Sequence, residues 1–162
     1  MIIGICIALI AGIFSGDLWI KNRIEKTDSV SFPIKPAKDT LIKDKFIKDL
    51  LILKKYHNTG AMFNLGAAQR SVVTAISVFF TALMSIALLL SFGQRGNNVL
   101  RIGLSFLLGG SFSNTYDRLK RKYVVDYLSF NVKWKWLQKI VFNISDLCIM
   151  IGTLLTVLGA SK

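Results

Sequence analysis

Apolar residues along this chain are bunched rather than periodic. Four runs, at about residues 2–20, 72–92, 99–116 and 140–160, approach the ~20 residues needed to cross a hydrocarbon core about 30 Å thick. LMSIALLLSF (83–92) and CIMIGTLLTVLG (148–159) present no polar face, which argues against buried helices of a water-soluble domain. In lipid only helices and closed barrels satisfy their own backbones. The pattern therefore predicts one domain over 1–162, an all-α membrane protein with four transmembrane helices.

The stretches between the runs predict smaller elements. Alternation around Ser29–Ile34 suits a short strand, and FIKDLLILKKYHNTG (46–60) a second one before a turn at Asn58-Thr59-Gly60. AMFNLGAAQR (61–70) suits a short interfacial helix. GQRGNN (93–98) is brief enough to make the second and third runs antiparallel neighbours. NVKWKWLQK (131–139) interleaves Trp134 and Trp136 with lysines, the ordinary composition of a membrane–water interface.

Composition sharpens this picture. Hydrophobic residues make up 52% of the chain and mean hydropathy is +0.51, too apolar for an ordinary soluble domain of this size. The first run starts at Met1 with no basic segment before it and no A-x-A site after it, so a cleaved signal peptide is not expected. The net charge of +12 is spread between the apolar runs. That distribution fits contact with anionic lipid headgroups and predicts no nucleic-acid partner. Cys6 and Cys148 both fall in apolar runs, where small packing residues are expected. His57 is the single histidine, and no metal site or cofactor is expected.

Charge also bears on orientation. Lys and Arg number 11 from Lys21 to Arg70 and 7 from Arg118 to Lys139, against Arg95, Arg101 and Lys162 on the other side. By the positive-inside rule the two longer loops would be cytoplasmic.

The polar residues that interrupt the runs gather at one end. Asp17 closes the first run; Asn114, Asp117 and Arg118 close the third; Asn143 and Asp146 open the fourth. Ionisable groups inside spans tend to mark function. Asp126 follows in YVVDYLSF (123–130), whose β-branched and aromatic residues read as extended. Because successive spans alternate in direction, Asp126 and Asp146 can meet near one surface. Two carboxylates in a low-dielectric pocket share a proton. One can then act as base on a water while the other donates to a carbonyl. An ion-conducting or purely structural polar cluster remains open on the residues alone. For Asp117 an ion pair with Arg118 or Lys120 is expected.

Five segments then carry a resemblance. DLWIKN (17–22) resembles D-x-x-x-K, HNTGAMF (57–63) N-x-G-A-x-F, and GGSFSNTYDR (109–118) G-G-x-x-x-N-x-x-D-R. YVVDYLSF holds V-V-D-[FY], and FNISD (142–146) resembles F-N-x-x-D. In this order, on four apolar runs, they are similar to lipoprotein signal peptidase, the signal peptidase II family of bacterial intramembrane aspartic proteases. The resemblance implies cleavage of diacylglyceryl-modified prolipoproteins just before the lipid-bearing cysteine, with Asp126 and Asp146 catalytic. It implies that Lys21, Asn58, Gly60, Asn114, Arg118 and Asn143 support the pocket or substrate, and that Asp17 orients the site. It further implies a small β-cradle and an interfacial helix on the outer face of the cytoplasmic membrane. That placement opposes the charge count, and we follow the family here. Prolipoprotein substrates and membrane lipids are the partners expected, and the protein is expected to be a monomer. A non-catalytic scaffold or lipoprotein-binding relative is the alternative.

This chain departs from the family's pattern at three residues and in a first loop several residues longer than usual. Ser113 stands where glycine is usual, Ser145 where alanine is common, and Lys122 where glycine is frequent. None removes a carboxylate, so these departures bear on substrate fit before chemistry.

Overall fold

The computed structural model describes residues 1–26, 51–60, 69–93 and 96–161. The expected strand at Ser29–Ile34 lies outside the described residues, as does most of the expected helix at 61–70. The described elements run α1 (Ile2–Glu25), β1 (Leu51–Asn58), α2 (Arg70–Ser91), α3 (Asn98–Lys120), β2 (Val124–Phe130), α4 (Lys135–Gln138), β3 (Val141–Phe142) and α5 (Ile144–Ala160). The chain is mostly helical, with one three-stranded antiparallel sheet in the order β1-β2-β3.

α1 and α2 are long and apolar enough to cross a membrane. α5 is apolar but has 17 residues, about 26 Å of helix at 1.5 Å per residue. It begins at Ile144 rather than near 140 because Asn143 caps it. α1 continues to Glu25 and α3 to Lys120, beyond the apolar runs that announced them. The reason lies in what the polar residues face. Asp17, Lys21, Asn114 and Asp117 are buried against neighbouring elements, so hydropathy falls while the helix goes on.

α3 is the central helix and packs against α1, α2 and α5. Its contact with α5 depends on glycine. A Cβ at Gly110 would collide with the Ser145 carbonyl oxygen, and one at Gly152 with the Leu107 nitrogen. At Gly103 and Gly159 it would lie 2.6 Å from the Thr156 and Leu100 nitrogens. The pairs 103/110 and 152/159 repeat every seven residues, keeping one seam of small residues along each helix. Gly152→Leu is expected to cost at least about 3 kcal/mol, the upper end for overpacking, because backbone rather than side chain must give way. Gly12→Leu, where nothing lies within 4 Å of a new Cβ, is expected to be neutral. Thermal unfolding of both variants in detergent checks the pair; equal midpoints would contradict the close seam.

α3 ends on a tight reversal. The Arg121 and Lys122 amides both donate to the Asp117 carbonyl, and Lys122 adopts φ +69°. That left-handed geometry closes many helices and favours glycine, which accounts for the glycine frequent at this place. Here the lysine offsets part of the cost by donating Nζ to the Leu119 carbonyl at 3.0 Å. The turn returns the chain directly into β2.

Candidate active site

β2 is the strand that carries Asp126. Val124 to Ser129 are all buried, because the strand is enclosed by β1, β3 and the ends of α1 and α3. Val125 N donates to Asp117 Oδ2 at 3.2 Å, tying the strand to α3. Asp126, 2% exposed, alternates to the face opposite Val125 and Tyr127. Its Oδ2 accepts from Asn58 Nδ2 at 3.0 Å and its Oδ1 from Asn143 Nδ2 at 2.7 Å. Asn58 is held for this task by β1 pairing, Asn58 opposite Val124, and by its own Oδ1, which accepts from Gly60 N at 3.0 Å. The Gly60 carbonyl in turn accepts from Arg118 at 2.9 Å.

Asp146 enters from the first turn of α5. Asn143 is the N-cap, and the two residues form a capping box: Asp146 N donates to Asn143 Oδ1 at 2.9 Å, and Asn143 N donates to Asp146 Oδ2 at 3.1 Å. Asn143 is therefore not itself a residue of α5. It lies outside the helix in extended backbone, which frees its side chain to reach Asp126. The other Asp146 oxygen, Oδ1, accepts from Asn114 Nδ2 at 2.8 Å. The two carboxylates share Asn143 as a partner, and every carboxylate oxygen of the pair accepts an N–H.

Burial, and then the charge of Asp146, push the Asp126 carboxyl up to about 7. The hydrogen bonds from Asn58 and Asn143 pull the other way. Such a group holds its proton near neutrality while a half-buried acid lies close by.

Behind this pair lies a second charged cluster. Lys21 Nζ meets Asp17 Oδ2 at 2.7 Å and Asp117 Oδ2 at 3.1 Å, with no side-chain surface of the three exposed. Lys21 also donates to Asn114 Oδ1 at 2.8 Å and Ser113 Oγ at 3.0 Å, orienting the amide whose nitrogen reaches Asp146. Asp117 pairs with Lys21 and with Arg121 at 3.4 Å. The expected partners Arg118 and Lys120 are not used, because Arg118 turns toward Gly60 and Lys120 is exposed.

All nine residues expected at the site from sequence, Asp17, Lys21, Asn58, Gly60, Asn114, Arg118, Asp126, Asn143 and Asp146, fall in this one connected network. Sequence reasoning missed Tyr127, whose hydroxyl donates to Asp17 Oδ1 at 2.7 Å, and the hydroxyl roles of Ser113 and Ser145. The serines had a signal as departures from the family's pattern; Tyr127 had none. Among the described residues no group of three or more His, Cys, Asp or Glu could hold a metal ion.

A buried and a half-buried acid where polar helix ends meet a small sheet, on a bundle with long apolar helices, fit a helical membrane enzyme of the aspartic type. The structural comparison agrees on the fold. Two solved bacterial membrane enzyme structures superpose with TM-scores of 0.74 and 0.72 at 23% and 22% identity, each covering 99% of this chain and 89% and 94% of their own. A family model described as signal peptidase (SPase) II matches residues 9–161, and the chain belongs to that family. A lipoprotein signal peptidase of Clostridium tetani is 30% identical over 119 residues, 71% of this chain and 76% of its own. One from Halothermothrix orenii is 32% identical over 112 residues, 69% and 71% of the two chains. One from Alteromonas mediterranea is 38% identical over 113 residues, 65% and 58%.

Proposed function

We propose that this protein is an aspartic endopeptidase that removes signal peptides from diacylglyceryl-modified prolipoproteins by cutting before the lipidated cysteine. The observation that carries the reading is the bridge of Asn143 between Asp126 and Asp146, within a chain matched to the signal peptidase II family over nearly its whole length. One carboxylate, Asp146, takes a proton from a water whose oxygen attacks the scissile carbonyl carbon. Asp126, protonated near neutrality, gives its proton to the carbonyl oxygen. Collapse of the tetrahedral diol breaks the C–N bond; the nitrogen leaves with a proton as the free amine of the lipidated cysteine, and the signal peptide leaves as a carboxylic acid.

The purified protein is expected to cut a diacylglyceryl-modified precursor immediately before the cysteine, read by mass spectrometry, and to leave the unmodified precursor whole. Lipid binding without cleavage would favour a scaffold instead. The pH dependence has a definite sign. Below about 7 the pair holds its shared proton; as pH rises through that value the proton is lost, two negative charges face each other, and donation to the carbonyl ceases. The kcat/KM profile is expected to fall on its alkaline side with a midpoint near 7. A rate that stays level to pH 9 would contradict the shared proton.

The reading includes four membrane-crossing helices in the bacterial cytoplasmic membrane, with the acid pair toward the outer face. α1 and α2 support it by length and hydropathy. α3 and α5 support it by packing closely against each other from Leu100 and Gly159 to Gly110 and Ser145. Headgroup contact is supported by Trp134 and Trp136, stacked at 6.5 Å and both exposed. A Lys133→Cys variant is expected to react with a membrane-impermeant maleimide in intact cells or spheroplasts. Reaction only after the membrane is opened would place the site on the inner face.

A further inference from the structure

Asp17 does not touch either acid of the proposed catalytic pair. It touches the residue next to each of them. Its Oδ1 accepts from the Tyr127 hydroxyl at 2.7 Å, and Tyr127 directly follows Asp126. Its Oδ2 accepts from Ser145 Oγ at 2.6 Å, and Ser145 directly precedes Asp146. The same oxygen accepts from Ser113 Oγ at 2.6 Å, and Ser113 directly precedes Asn114, the amide donor to Asp146. Tyr127 adds a further tie: its hydroxyl accepts from Ile144 N at 3.2 Å, joining β2 to the first residue of α5.

These contacts are built rather than incidental. Asp17, Ser113, Tyr127 and Ser145 are each no more than 1% exposed. One carboxylate with four donors, Lys21 Nζ among them, sits in a dry site where each hydrogen bond to a charged group is strong. The donors come from four elements, α1, α3, β2 and α5, that have no backbone continuity at the site. Strand β2 and the start of helix α5 are joined through the short β3, through the Asn143–Asp126 and Ile144–Tyr127 hydrogen bonds, and through this carboxylate.

We infer that Ser113, Tyr127 and Ser145 are positioning residues, forming with Asp17 a hydroxyl clamp that sets the spacing of Asp126 and Asp146. The inference rests on the peptidase reading and extends it to residues buried behind the acid pair. It also gives the two serine departures a role. They supply two of the three hydroxyls, so this chain holds its acid pair with donors that glycine and alanine cannot provide.

The test is the triple variant Ser113→Ala/Tyr127→Phe/Ser145→Ala in the full chain, which keeps the side-chain shapes and removes only the hydroxyls. On a diacylglyceryl-modified precursor, well below the unfolding temperature, kcat is expected to fall about 10- to 100-fold, the effect of misplacing reacting groups by an ångström or less. KM is expected to stay within about twofold, because substrate contacts are untouched. Loosening the clamp lets the acids separate, which weakens the Asp146 charge felt by Asp126. The alkaline limb of the rate profile is therefore expected to move to lower pH by about half a unit or more. General loss of folded enzyme would lower the whole profile without moving that limb. A triple variant with parental kcat and an unmoved limb overturns the clamp. Should the triple variant not fold, Tyr127→Phe and Ser145→Ala are read singly by the same two criteria. An inactive parent would sink the peptidase reading alone. The clamp is then judged by unfolding midpoints, where Asp17→Asn must be non-additive with Tyr127→Phe and with Ser145→Ala, and additivity overturns it.

Discussion

Asp126→Asn and Asp146→Asn, each made in the full chain, are expected to lower cleavage of a lipid-modified precursor by roughly 10²- to 10⁴-fold, the span that a positioned acid or base contributes. Either change leaves one carboxyl where the mechanism needs two, one charged and one protonated. An amide can neither accept the proton of an attacking water nor donate with the acidity of a carboxylic acid. The two variants should lose kcat far more than they raise KM. They should also still fold, since removing one of two facing acids relieves repulsion. The local cost is one mismatched contact. Asp126 accepts amide N–H groups on both oxygens, and Asn58 and Asn143 cannot turn over freely, because their own carbonyl oxygens accept from Gly60 N and Asp146 N. Thermal unfolding midpoints within a few degrees of the parent, beside lost activity, are the outcome that assigns the loss to chemistry. Undiminished cleavage by either variant would remove the acid pair from the reaction.

Lys21→Met is expected to be the most damaging change to the fold itself. Lys21 is wholly buried between Asp17 and Asp117. Removing one partner from a buried ion pair leaves uncompensated charge, at a cost of about 3 to 5 kcal/mol. Here two carboxylates lose their common cation, and Arg121 reaches only Asp117. The variant should unfold in detergent at least about 10 °C below the parent, taking a few degrees per kcal/mol for a chain of this length. Adding Asp17→Asn removes one of the stranded charges, so the double variant should recover part of the difference. A midpoint unchanged by Lys21→Met alone would mean that the site is hydrated and the cluster unimportant to stability. Asn114 links the two predictions: it accepts from Lys21 and donates to Asp146, so the cation expected to hold the fold also orients a hydrogen bond to one acid of the proposed pair.

The four long helices were legible in the chain because each is built on an apolar run, and two of them, α1 and α2, are long and apolar enough to cross a membrane. Each of the four runs announces itself over its own length, without reference to any other. Helix ends were less legible. α1 and α3 run past their apolar runs because Asp17, Lys21, Asn114 and Asp117 satisfy one another inside the bundle, and hydropathy scores those residues as if they faced lipid or water. The same blindness affects the charge count behind the cytoplasmic reading of the longer loops, which treats Lys21 as a free loop charge although it lies in α1 between two carboxylates.

The acid pair was legible as residue types, through Asp126 in an extended segment and Asp146 at the head of an apolar run. Its wiring was not. Asn143 bridges the acids because it caps α5 from outside the helix, and Asp17 reaches the neighbours of both because α1, α3, β2 and α5 converge within hydrogen-bonding distance. Nothing in the spacing of residues 17, 113, 127 and 145 foretells that meeting. Apolar runs and motif order are properties of single segments, and the solvent around each segment reads them directly. The partner of a buried polar group is chosen only when separate segments pack, since in a dry interior each donor and acceptor must find another and the candidates lie up to 128 residues apart.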